Sequence, residues 1–164
     1  MSSIKSKHAN DKSNQLTQGE SKIPVKTEEL DPPSAYQILI ENGEADKLSP
    51  KSTGKIYFEL ARYQVDGCNY LRIKGNEGGG LHSREWVSVE KVINTLSTQA
   101  GHPFKSSVLK TCTIGKSSNN ASFLAAILRS SEIKLIQATE KNTFSHLLVD
   151  DFEKLSAALL KRNK

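Results

Sequence analysis

Cysteine is nearly missing from this chain. Cys68 and Cys112 are the only two among 164 residues. One possible pair is no disulfide framework, so a reduced intracellular setting is expected. His8, His82, His102 and His146 are scattered, without the C-x2-C or H-x3-H spacing that holds a metal. No apolar run nears the roughly 20 residues a membrane-spanning helix needs. The N-terminus has no apolar h-region, so no signal peptide is read there. No G-x-S-x-G elbow occurs, and the 18 acidic residues suggest no particular catalytic pair. The expectation is no catalytic residue, no metal, no cofactor and no enzyme. Tryptophan occurs once, at Trp86.

Positive charge is in excess. Lys and Arg number 23 against 18 acids, a net of +5, which favours anionic partners. Residues 1–34 carry five charges of each sign, end in Asp31-Pro32-Pro33 and lack periodic apolar positions. They read as a disordered tail.

The pattern changes at Ala35. Ala35-Tyr36-Gln37-Ile38-Leu39-Ile40 reads as a strand, with Asn42-Gly43 as a turn. Residues 48–52 read as a loop. Residues 55–63 are β-rich, Asp66-Gly67 signals a hairpin, and residues 69–74 return, with Tyr70, Arg72 and Lys74 on one face and Leu71 and Ile73 on the other. A small antiparallel sheet is expected over 35–86. Gly75-Asn76-Glu77-Gly78-Gly79-Gly80 fits no phosphate-binding pattern and reads as a hairpin tip or bulge. Gly115-Lys116-Ser117 lacks the glycine five positions earlier that a P-loop requires.

A helix is expected next, capped by Ser88, with Val89, Val92, Ile93 and Leu96 as its core stripe and Trp86 as an anchor between sheet and helices. Residues 104–149 then give a short helix capped at Ser106 or Ser107, with Val108 and Cys112 on one face and Gly115 as its stop. A polar turn and a helix carrying Phe123, Leu124, Ile127 and Leu128 follow. The runs from Ile133 and Phe144, around a tip at 139–142, read as a hairpin. Asp150 and Glu153 have capping-box spacing for a last helix, with Phe152, Leu155 and Leu159 on one face.

This order, over about residues 86–149, resembles the winged helix-turn-helix superfamily. The implied fold class is α+β: a small antiparallel sheet, then a winged unit (87–164) with a C-terminal helix. The resemblance implies a second helix lying in the major groove, with Ser117, Ser118, Asn119, Asn120 and Ser122 near base edges. Lys105, Lys110, Lys116 and Arg129 would meet phosphates, with Lys141 and Asn142 at the wing tip. From residue 102 to 149 there are six Lys or Arg against Glu132 and Glu140, a net of +4. The expected partner is double-stranded DNA, in regulation or maintenance of a DNA element. A homodimer through the sheet or the last helix is a further expectation. The location would be cytoplasmic, on a nucleoid or in a nucleus.

Two other readings fit the same residues. Residues 70–96 and 133–159 overlay without gaps, which resembles the tandem sheet repeat of PC4-like and PUR-like single-strand binders. Tyr57, Tyr63, Tyr70, Arg62 and Arg72 would then meet bases and phosphates, and residues 121–129 would have to be a strand. Alternatively the unit docks a protein and no nucleic acid.

Overall fold

The computed structural model describes residues 33–164. The expected tail lies outside the described residues except for Pro33 and Ser34. The fold is α+β. A 3-10 turn leads into β1 (Tyr36–Asp46), β2 (Lys55–Tyr63), β3 (Asn69–Asn76) and β4 (Val87–Ser88), an antiparallel sheet in that order. Then come α1 (Val89–Ser97), β5 (Phe104–Lys105), a 3-10 helix (Ser106–Cys112), α2 (Asn119–Arg129), β6 (Ile136–Thr139), β7 (Asn142–Leu148) and α3 (Phe152–Lys161). The second sheet has the order β5-β7-β6.

Alternation sets the faces of the first sheet. Ile56, Phe58, Leu60, Leu71 and Ile73 point to one side and are buried against the helices. Burial of such a side chain stabilises by about 1.5–3 kcal/mol. Tyr57, Glu59, Ala61, Tyr63, Tyr70, Arg72 and Lys74 occupy the opposite side. The Asp66-Gly67 turn forms as expected, with Gly67 at φ +69° and the Cys68 amide donating to Asp66 Oδ1 at 2.7 Å.

Asn42-Gly43 is not a turn. It lies inside β1, beside register shifts at Ile38/Ile40 and Ile40/Gly43. Gly43 is there for space: a Cβ would stand 2.4 Å from the Phe58 ring.

Helix α1 has the expected stripe and cap, since Ser88 Oγ accepts from the Lys91 amide at 3.2 Å. The next segment is 3-10, not α, so i and i+3 share a face and Leu109 joins Cys112 in the core in place of Val108. Neither serine caps it; Ser106 Oγ meets His146 instead. Gly115 is not left-handed. It permits close approach, because a Cβ there would lie 2.5 Å from Ser83 Cβ.

Helix α2 forms where expected. Strand β6 starts only at Ile136, after a turn in which Lys134 has φ +50°. Asp151, not Asp150, is the N-cap of α3, and its side chain makes no capping bond. At the other end of α3, Asn69 Nδ2 donates to Leu159 O at 2.8 Å and Arg162 O at 2.9 Å. The expected division at 86/87 is no boundary in the packing. One apolar cluster takes Phe58 and Leu71 from the sheet together with Leu96, Leu124, Ile127 and Phe152 from the helices.

Candidate functional site

The outer face of the four-stranded sheet carries a cluster of rings. Tyr36 and Tyr63 are cross-strand partners and stack at 4.7 Å. Tyr36 also stacks on Trp86, at 4.4 Å and 13° between planes. Tyr70 meets Tyr36 and Tyr63 edge-on, each at 6.1 Å. The rings lie together because Ala61, the partner of Tyr70 and Ile38, is small and fully buried. Tyr36 comes from β1 and Trp86 leads into β4, so the cluster spans the sheet. All four rings remain half-buried.

Cations border the rings. The Arg72 guanidinium lies 4.3 Å from the Trp86 ring centroid, in cation–π contact. Its Nε donates to Glu59 Oε2 at 2.9 Å, and its Nη2 pairs with the same oxygen. Lys74 Nζ stands 3.4 Å from Glu59 Oε1 and donates to Asn42 Oδ1 at 2.9 Å. Glu59 is 5% exposed, so one nearly buried carboxylate positions two cations. Tyr70 donates its hydroxyl to Asp66 Oδ2 at 2.6 Å. That bond, with burial, lifts the phenol well above its ordinary range, so it stays neutral.

Trp86 is thus part of a surface ring cluster and not the expected internal anchor. Arg62 has the opposite parity, pairing with Asn69 and Gln37, and does not join the face.

The residues expected to read a duplex are used differently. Asn120 is 1% exposed; its Oδ1 accepts from the Ser83 amide at 3.0 Å, and its Nδ2 donates to Ser83 Oγ at 2.9 Å and Gly115 O at 3.1 Å. Asn119 Nδ2 donates to Leu81 O at 3.0 Å, and Ser117 Oγ donates to the same carbonyl. Ser122 Oγ turns back to Asn119 O at 2.9 Å. Asn119 and Asn120 at the leading end of α2 are therefore held by the loop around residues 80–85, and the assignment of Asn120 to base reading is corrected: its amide is buried and makes its hydrogen bonds inside the protein.

Arg129 also turns inward, donating from Nη2 to Thr143 O at 2.7 Å and from Nε to His146 Nδ1 at 3.1 Å. Lys105, Lys110, Lys116, Ser118, Lys141 and Asn142 are exposed. Asn142 Oδ1 accepts from the Phe144 amide at 2.9 Å.

His146 is fully buried, with Nε2 2.8 Å from Ser106 Oγ. This is no activated serine. Arg129 can only donate, so Nδ1 accepts, and Nε2 carries the proton and donates to Ser106. Burial, with Arg129 adjacent, pushes the ring's pKa down to about 4.

No family model, curated protein or solved structure matches this chain. Among the described residues no His, Cys, Asp and Glu cluster could hold a metal, and no helix is long and apolar enough to cross a membrane.

The ring cluster had a partial signal in the sequence. The period-two placement of Tyr63, Tyr70, Arg72 and Lys74 marks a polar and aromatic face, but the contributions of Tyr36 and Trp86 require the strand order.

Proposed function

We propose that this protein binds single-stranded nucleic acid on the outer face of its four-stranded sheet. The observation that carries the reading is the joint cluster of Tyr36, Tyr63, Tyr70 and Trp86 with Arg72 held over the tryptophan. Base–aromatic stacking contributes about 1–3 kcal/mol per base. Here Tyr36 stacks on Tyr63 and Trp86, and Arg72 lies over Trp86, so a base would engage the cluster at its ring edges or by replacing one of these contacts. Arg72 and Lys74 lie where a phosphate backbone would pass, and Glu59 fixes the arginine's plane in advance.

The tandem-repeat version is not retained, because residues 119–129 are helical and give no second sheet of this kind. Duplex reading through α2 is weaker, since Ser117, Asn119 and Asn120 are spent on the neighbouring loop.

The test is a titration of oligothymidine and of duplex DNA at equal salt, followed by Trp86 fluorescence. Quenching by the single strand, with Arg72→Ala weakening it about tenfold, is expected. Preference for the duplex, or no response to the single strand, overturns the reading. Spectral changes that depend on protein concentration alone would point instead to a second copy seated on the rings.

A further inference from the structure

Leu81 and Ile114 are the most exposed large hydrophobic side chains among the described residues, ahead of Val65 on the Asp66-Gly67 hairpin. Leu81 is 85% and Ile114 82% exposed, and they sit on two loops joined to each other. The joint is an extensive polar network. Glu85 accepts from the Ile114 amide at 2.8 Å and the Gly115 amide at 2.7 Å, while Ser83 Oγ donates to it at 2.7 Å. Asn120 links Ser83 to the Gly115 carbonyl, and Ser117 and Asn119 hold the Leu81 carbonyl from the other side.

Gly80, at φ +105°, completes the close fit: a Cβ there would lie 3.1 Å from Asn119 Nδ2. A loose loop would let its leucine fold back onto apolar surface. Here the backbone on both sides is held, and the two side chains are kept in water.

The surroundings indicate what they meet. Arg84 and Lys116, both exposed, flank the pair in sequence, so the tip combines apolar ends with positive charge. Apolar wedges that enter between base steps have this make-up: Leu or Ile for the gap and cations for the adjoining phosphates. The tip also adjoins the ring face. Arg72 lines a small cleft together with Ser83, Glu85 and Thr113, and Trp86 follows Glu85 directly. A strand leaving Trp86 and Arg72 towards Glu85 and Thr113 would arrive beside these loops.

We propose that Leu81 and Ile114 form a wedge that engages the stacked end of a duplex where it continues into the single strand lying on the ring face. This rests on the single-strand reading above and deepens it: the ligand is a junction, not an unpaired strand alone. The rings take bases already apart, and the aliphatic pair presses on the first base step still stacked.

The experiment uses the full chain and the Leu81→Asn/Ile114→Asn double variant. Both changes replace side chains that are almost wholly exposed. Each protein is titrated with an unpaired oligothymidine, with the same strand joined to a duplex at its 5′ or its 3′ end, and with anionic phosphatidylserine vesicles. The expected result is a preference of the unchanged protein for one tailed duplex over the unpaired strand by about tenfold. The double variant should lose that preference and keep its affinity for the unpaired strand.

Equal binding of tailed and unpaired strands, or a preference that survives in the double variant, overturns the wedge and leaves the ring-face reading standing. No binding of any nucleic acid overturns both. Vesicle binding that the double variant abolishes assigns the tip to a lipid surface and likewise overturns the wedge.

Discussion

Tyr36 and Trp86 stack at 4.4 Å from opposite edges of one four-stranded sheet. Neither ring reaches the other by local sequence. Each arrives because β2 and β3 between them carry Ala61 at the centre of the face and tyrosines beside it.

That relationship makes Tyr36 a double-purpose side chain. Tyr36→Ala is expected to remove the stack on both Tyr63 and Trp86, costing about 1–3 kcal/mol by the ring-pair and burial contributions. It should also weaken oligothymidine binding. Tyr36→Phe keeps the ring and should retain most of both. Urea midpoints and fluorescence titrations of the two variants check this; equal loss in both would mean that the hydroxyl, not the ring, matters.

Asn69 ties the third strand to the end of the last helix. Terminal carbonyls of a helix have no partner within it, and the Asn69 amide serves Leu159 O and Arg162 O. Asn69→Ala should lower stability by about 0.5–1.5 kcal/mol, the net worth of a hydrogen bond between protein groups, because the Arg162 amide still donates to Leu159 O. Amide hydrogen exchange would show faster opening of the last turn of α3. Unchanged exchange there would contradict the clamp.

His146 should make the protein acid-labile. The ring's folded pKa is near 4, and an unfolded histidine titrates near its ordinary value. Between those values the unfolded chain binds more protons, so stability rises with pH through that window. It is complete above about pH 6.5 and is lost as pH falls towards 4, by up to about 3 kcal/mol from this group. Urea midpoints at pH 7 and pH 5 should differ, and His146→Gln should narrow the difference. A variant that keeps the full slope would place the acid sensitivity elsewhere.

Much of the element order was legible, for local reasons. β2 is bounded where alternation starts and stops, α1 follows from four apolar positions and one serine, and the hairpin between β6 and β7 from two apolar runs around a polar tip. What escaped is decided by contacts across the chain. Asn42-Gly43 is a turn signal by composition, yet the ring of Phe58 requires a glycine inside the strand.

Asn119 and Asn120 carry the chemistry of base readers, yet their amides were already committed to a glycine-rich loop with no periodic signal of its own. Helix spacing gave the position of α2 but not its cover. Spacing of four puts Val108 on the face of Cys112, whereas the tighter 3-10 turn puts Leu109 there.

The apolar interior shared across residue 86 has a practical consequence. Phe58 and Leu71 share one apolar cluster with Leu124, Ile127 and Phe152 from the later part of the sequence, so a cut at Trp86 would divide that interior. The described part of the chain is therefore expected to melt as one body. A fragment cut at Trp86 would bare its own centre to water and clump, so single side-chain exchange, not dissection, is the way to separate the molecule's surfaces.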